Sequence, residues 1–170
     1  MRWDVGRAKL RPMTRFAAVS LSIALALAAC GPSRGTTAPA ADAVTVLPAR
    51  FAEDSHASED VRTQCDVEND LPRFVEKYSR GGAVFSASAD PSQGRVVEIT
   101  VVSVVAPKGG AWSGPKHMKI EARLLQDGQE VDRFEVDRST TQGGYGTCDM
   151  LRRISAALGK DVARWLASRG

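Results

Sequence analysis

Three cysteines and two histidines are the side chains of this 170-residue chain best equipped for covalent or proton-transfer chemistry. Cys30 closes the run Leu27-Ala28-Ala29-Cys30, directly after an apolar stretch and a basic leader. A thiol is the most nucleophilic side chain of the leader and the one open to covalent modification. Ala28, Ala29 and Gly31 suit a peptidase pocket that admits no bulk. Cys65 and Cys148 remain. In an oxidising compartment an even pair is most often a disulfide. Bridging them closes a loop of 84 residues, worth about 4–5 kcal/mol on the chain-entropy argument, as an upper figure. A redox dithiol usually takes the form Cys-x-x-Cys, and structural zinc wants four close ligands. Neither pattern is present, so a structural bridge leads and a thiol redox pair stands behind it.

The histidines offer less. His56 stands in Asp54-Ser55-His56, the three residue types of a hydrolase triad at adjacent positions. A triad needs them to converge from separate elements, so a polar loop is the better reading. His117 is expected to face Asp137 across a strand pair. No glycine pattern matches a phosphate-binding or dinucleotide fingerprint, Gly143-Gly144-Tyr145-Gly146 included. No cofactor or metal is expected.

The leader that positions Cys30 has the parts of an export signal. Arg2, Arg7, Lys9, Arg11 and Arg15 form a basic region, and Phe16 to Ala29 is uncharged and nearly all apolar. That stretch falls short of the roughly 18 residues a spanning helix needs. Met13 to Cys30 alone makes a complete signal, so either Met1 or Met13 serves as a start. Over the leader and Cys30 the chain resembles bacterial lipoproteins, the Leu-Ala-Ala-Cys run standing as a lipobox. The resemblance implies acyl chains on Cys30 as the membrane contact. It also implies outer-membrane sorting, because Gly31 stands where aspartate favours inner-membrane retention. Each buried methylene contributes about 0.8 kcal/mol, so two or three chains make a stable anchor.

Residues 30–170 hold 18 of the 23 basic and 19 of the 20 acidic side chains, so the basic character belongs to the leader. Nucleic-acid binding, which needs a concentrated basic footprint, is not expected. The sequence divides into a signal, residues 1–29, an acylated cysteine with a flexible tether, residues 30–41, and one periplasmic domain, residues 42–170.

Within that domain Val44 to Leu47 reads as a strand and Arg50 to Asp60 as a loop. Val67, Leu71, Phe74, Val75 and Tyr78 trace one face of a helix between about Val61 and Tyr78. Pro72 predicts a kink, or a second helix starting near Asp70. After Gly81-Gly82, Ala83 to Ser86 opens a strand. Arg95 to Val105 is too β-branched for a helix, and its apolar positions on both alternations predict cover on both faces or a bulge.

Met118, Ile120, Ala122 and Leu124 alternate with charged residues, a half-buried strand. A three-residue loop, Gln126-Asp127-Gly128, predicts Met118 opposite Val136, Ile120 opposite Phe134, Lys119 opposite Glu135 and Glu121 opposite Arg133. Leu151, Ile154, Leu158, Val162 and Trp165 trace the apolar stripe of a last helix, with Thr147 as N-cap and Asp149 in the first turn. Arg152, Arg153, Lys160 and Arg164 lie off that stripe and read as a solvated face. The expected fold is α+β, a mostly antiparallel sheet of four to five strands with two helices packed on one face. A Cys65–Cys148 bridge would clamp the helices.

Two aromatic residues stand in glycine-rich loops, Trp112 in Lys108 to Pro115 and Tyr145 in Ser139 to Gly146. Tryptophan is a frequent interface anchor, and a ring folded back over the sheet is the competing reading. The stretch Gly110 to Lys116 and the segment Thr147-Cys148 to Trp165-Leu166 resemble small bacterial lipoproteins of no assigned activity. That resemblance covers about two-thirds of the domain and implies its fold and disulfide. The expectation is a non-enzymatic, membrane-anchored lipoprotein that binds another envelope protein through Trp112 and Tyr145. The alternative is an envelope hydrolase using His56, or a thiol redox factor.

Overall fold

The computed structural model describes residues 42–109, 113–142 and 146–169. In chain order the elements are β1 (Val44–Val46), β2 (Arg50–Phe51), α1 (Glu59–Gln64), α2 (Val67–Ser79), β3 (Ala83–Phe85), β4 (Arg95–Val105), β5 (Lys116–Gln126), β6 (Gln129–Thr140) and α3 (Thr147–Ala167). The class is α+β, as the patterning predicts. The sheet is mostly antiparallel, as expected, but larger and mixed. It has six strands, in the order β3-β1-β4-β5-β6, with β2 also on β4. β1 runs parallel to both β3 and β4, β2 runs parallel to β4, and only β4-β5-β6 form an antiparallel meander. A two-residue strand such as β2 lies inside the segment read as a loop, because two residues carry no periodicity.

Three helices form rather than two. Ser58 caps α1 by accepting from the Val61 amide, and the helix stops at Cys65, whose backbone is extended. Asp66 then opens α2, four residues before the predicted start. Pro72 sits inside α2 without breaking it. A proline cannot donate to the carbonyl four residues back, which is that of Glu68. Glu68 instead accepts from the Ala49 amide at 2.8 Å, so the vacated acceptor ties α2 to the segment after β1.

The core lies between the helices and one sheet face. Val97, Ile99, Val101, Met118, Ile120, Ala122 and Leu124, at alternate positions of β4 and β5, pack with Leu71, Val75, Leu151, Ile154, Leu158 and Val162. Of the two expected arrangements, cover on both faces or a bulge, β4 has a bulge between Val101 and Ser103, which returns Val104 to the core side. A smaller cluster of Leu47, Val96 and Leu125 covers part of the opposite face. At Gly159 α3 meets α2 closely: a β-carbon there would lie 2.6 Å from the Cβ of Phe74. Trp165 stacks on Phe134 with centroids 5.5 Å apart and donates to Asp132 at 3.1 Å, closing α3 onto β6.

The hairpin register is corrected. Asp127 and Gly128, with φ of 50° and 80°, make a two-residue turn that pairs Gln126 with Gln129. Val131 then has no partner, and beyond this bulge Ile120 faces Val136, Ala122 faces Phe134 and Lys119 faces Asp137. Thr147 is likewise the first residue of α3 and not its cap, a place taken by Gly146.

Candidate functional site

The terminal clamp is built from α1 and α3. Cys65 ends α1, Cys148 is the second residue of α3, and the two are bridged with 5.1 Å between their α-carbons. Beside the bridge lies an open groove of about 470 Å³. Ser58, Asp60 and Gln64 of the α1 side form one wall, Gly146, Thr147 and Asp149 another, and Ala106 and Lys108 a third. Lys108 reaches across to an ion pair with Asp60. That hydrogen bond, with the charge of Asp60, raises the lysine pKa above its ordinary value.

Sequence reasoning passed over Lys116, which is fully buried at the start of β5. Its ammonium donates to the Pro107 carbonyl, the Ser113 hydroxyl and, at 3.5 Å, the Gly114 carbonyl. A buried ammonium must find acceptors, and these draw both ends of the loop onto one point. Thr147 donates to the same Pro107 carbonyl at 3.5 Å. The bases of the two glycine-rich loops are therefore joined at the rim of the groove. Trp112 and Tyr145 themselves lie outside the described residues, as do Cys30 and the whole of residues 1–41.

The histidines take separate roles. His56 is exposed with a φ of 56°, while the neighbouring Ser55 is buried and its hydroxyl accepts from Arg62 at 2.8 Å. That serine is engaged by a guanidinium and not by the imidazole. His117 lies 3.2 Å from Asp137, as expected, although its direct ladder partner is Ser139.

The outer sheet face is a charge network. Arg133 bonds Glu130 and Glu121, and Arg123 bonds Glu130 and Glu98. Donation from Arg133 and then Arg123 lowers the Glu130 pKa. Among the cations of α3, Arg152 pairs with Asp70 and lies over the Phe74 ring, and Arg164 pairs with Asp161. Arg153 and Lys160 are exposed.

No protein-family model and no curated protein matches the chain. Solved structures do match in fold. A variant PelC dodecamer from Paraburkholderia phytofirmans has 15% identity and a TM-score of 0.53, over 78% of this chain and 92% of that one. Two further similar structures are lipoproteins. GNA1162 from Neisseria meningitidis has 12% identity and a TM-score of 0.40, over 74% of this chain and 99% of that one. A minor lipoprotein from Acinetobacter baumannii has 11% identity and a TM-score of 0.39, over 74% and 91%. At these identities the PelC likeness is one of fold.

Proposed function

We propose that this chain is a non-enzymatic lipoprotein held at the periplasmic face of the bacterial outer membrane by acyl chains on Cys30. Its folded part, residues 42–170, binds another envelope protein at the disulfide-clamped rim. The observation that carries the reading is the convergence at Pro107. Lys116 and Thr147 tie the roots of the Trp112 and Tyr145 loops together beside one groove. A rigid frame under two glycine-rich loops, each bearing one aromatic side chain, is an arrangement suited to recognition, because loops on fixed scaffolds carry most binding residues. Truncating an interface anchor costs about 2 kcal/mol or more in binding.

Photo-crosslinking in intact cells tests this directly. A photoreactive residue at position 112 should give one discrete adduct, and the same residue at position 119, on the outer sheet face, should give none. Equal adducts from both positions, or none from 112, would overturn the rim as the binding surface. For the anchor, Cys30→Ser should accumulate as an unacylated precursor by mass spectrometry; normal processing of that variant would remove the lipobox reading.

A second reading has its own support. β6 ends the sheet with its outer edge unpaired among the described residues, and the PelC structure of similar fold is a dodecamer. The partner is then another copy of the chain, and the adduct would have twice the chain's mass.

A further inference from the structure

Four cations gather where the C-terminal ends of α2 and α3 meet. Lys77 and Arg80 of the α2 end, with Lys160 and Arg164 of α3, line a groove of about 400 Å³ together with Tyr78 and Ala167. All four are exposed. Arg164, at 3.0 Å, shares the Asp161 carboxylate with Arg138, at 2.7 Å. Lys77 lies 5.7 Å from the centre of the Tyr78 ring, and Lys77, Arg80 and Lys160 form no ion pair with a described carboxylate. A helix C-terminus carries roughly half a negative charge. Two such ends offset about one of the three unbalanced cations, which leaves the groove about two charges positive.

The groove also has a position relative to the anchor. Asp42, the first described residue, lines an adjoining groove, and Ser79, Ala163 and Ala167 are shared by both. The described chain therefore begins at a groove that adjoins the basic one. Twelve residues span about 40 Å at most. An acylated Cys30 would keep the domain within about 40 Å of the lipid surface, which leaves its orientation to be set by the surface of the fold. The candidate recognition rim is at the other end of α3, 16 residues from Cys148 to Arg164, or about 24 Å at 1.5 Å per residue.

We propose that the Lys77–Arg80–Lys160 groove docks on the phosphate groups of anionic membrane lipids and holds the domain with its disulfide-clamped rim turned away from the bilayer. The inference rests on the acylation of Cys30 for its geometry. It deepens the proposed function by giving the domain a fixed orientation. Each basic residue near an anionic surface adds about 1 kcal/mol, or roughly fivefold in affinity.

The acylated protein, purified from membranes, should be mixed with vesicles of phosphatidylcholine alone or containing phosphatidylglycerol, and labelled with an amine-reactive reagent. Flotation with the neutral vesicles reports the acyl anchor separately; failure to float overturns the anchor. Labelling reports the groove. Lys77 and Lys160 should react at least fivefold more slowly on anionic than on neutral vesicles, with Lys108 at the rim unchanged. The protection should vanish at high salt, which shortens electrostatic reach to about 3 Å at 1 M. Arg80→Asn removes one cation while tolerating the left-handed backbone at that position, φ 54°, and should cut the protection about fivefold. Equal labelling on both vesicles overturns the proposal. So does equal protection of Lys108, or protection by soluble dextran sulfate as strong as that by lipid.

Discussion

Lys119 binds Glu135 at 2.8 Å although its direct partner across the ladder is Asp137, two residues away. The same offset recurs along the hairpin. Glu121 faces Glu135 but is bonded by Arg133, and His117 faces Ser139 but lies against Asp137. Like charges that stand directly opposite are thus each served by a diagonal neighbour, which is within reach of long side chains.

This offset explains what the sequence could and could not reveal. The predicted three-residue loop and the observed two-residue turn plus bulge differ by two residues in register. A shift of one reverses every side chain, whereas a shift of two preserves both faces. Charge pairing and burial were therefore readable while the register was not. Nothing in Val131 marks it as a bulge.

The bulge supplies a test. Val131 is 58% exposed and unpaired, so its deletion should leave Leu124 opposite Asp132 and the Phe134–Trp165 stack in place. The expected stability change is within about 0.5 kcal/mol, as for surface sites of no special role. Deleting Val131 and Asp132 together leaves no spare residue, so it should shift the register by one, turn Phe134 and Val136 to solvent and unfold the hairpin. Thermal melts followed by tryptophan fluorescence separate the two. Comparable losses in both deletions would reject the bulge.

Gly159 is a second. Alanine is the better helix former by about 1 kcal/mol, but its methyl group would lie 2.6 Å from Phe74 Cβ and 3.0 Å from the backbone of Phe74 and Val75. Overpacking of this kind costs about 1–3 kcal/mol. Gly159→Ala should therefore destabilise in urea titration, and a gain in stability would show that the two helices can separate.

The Cys65–Cys148 bridge joins residues 83 apart. Replacing both by serine should lower stability by about 2–5 kcal/mol. Non-reducing peptide mapping of protein purified without reductant should recover the linked pair, and two free thiols would refute it.

Asp132 gives the acid response. Donation from Arg169, with smaller contributions from the Arg133 amide and the Trp165 indole, holds its pKa below the ordinary carboxylate value. A lowered folded-state pKa adds stability above the unfolded-state value, near 3.9, and loses it as pH falls through the lowered one. Wild type should melt above Asp132→Asn at pH 7, with the gap closing at acid pH. A gap that persists at the lowest pH would assign the effect to shape and not to charge.

The elements recognised from sequence are those with enough length to show a period. The stripe Leu151, Ile154, Leu158, Val162 and Trp165 is buried as expected. The break at Cys65-Asp66 and the tolerance of Pro72 depend on partners far along the chain, Cys148 for one and the Ala49 amide for the other. Of the candidate site, the pairing of Cys65 with Cys148 was legible. The burial of Lys116 was not, because two of its acceptors are loop carbonyls that any sequence possesses and the third is a serine hydroxyl three residues away in the same loop.

The place of β1 has a mechanical consequence. Any load carried by the chain ahead of Asp42 enters the fold through a strand flanked by β3 on one side and β4 on the other, parallel to both. A pull along β1 strains its hydrogen bonds on both sides together and not one after another. Resistance to force at the N-terminal end of the described residues is then set by the whole strand at once.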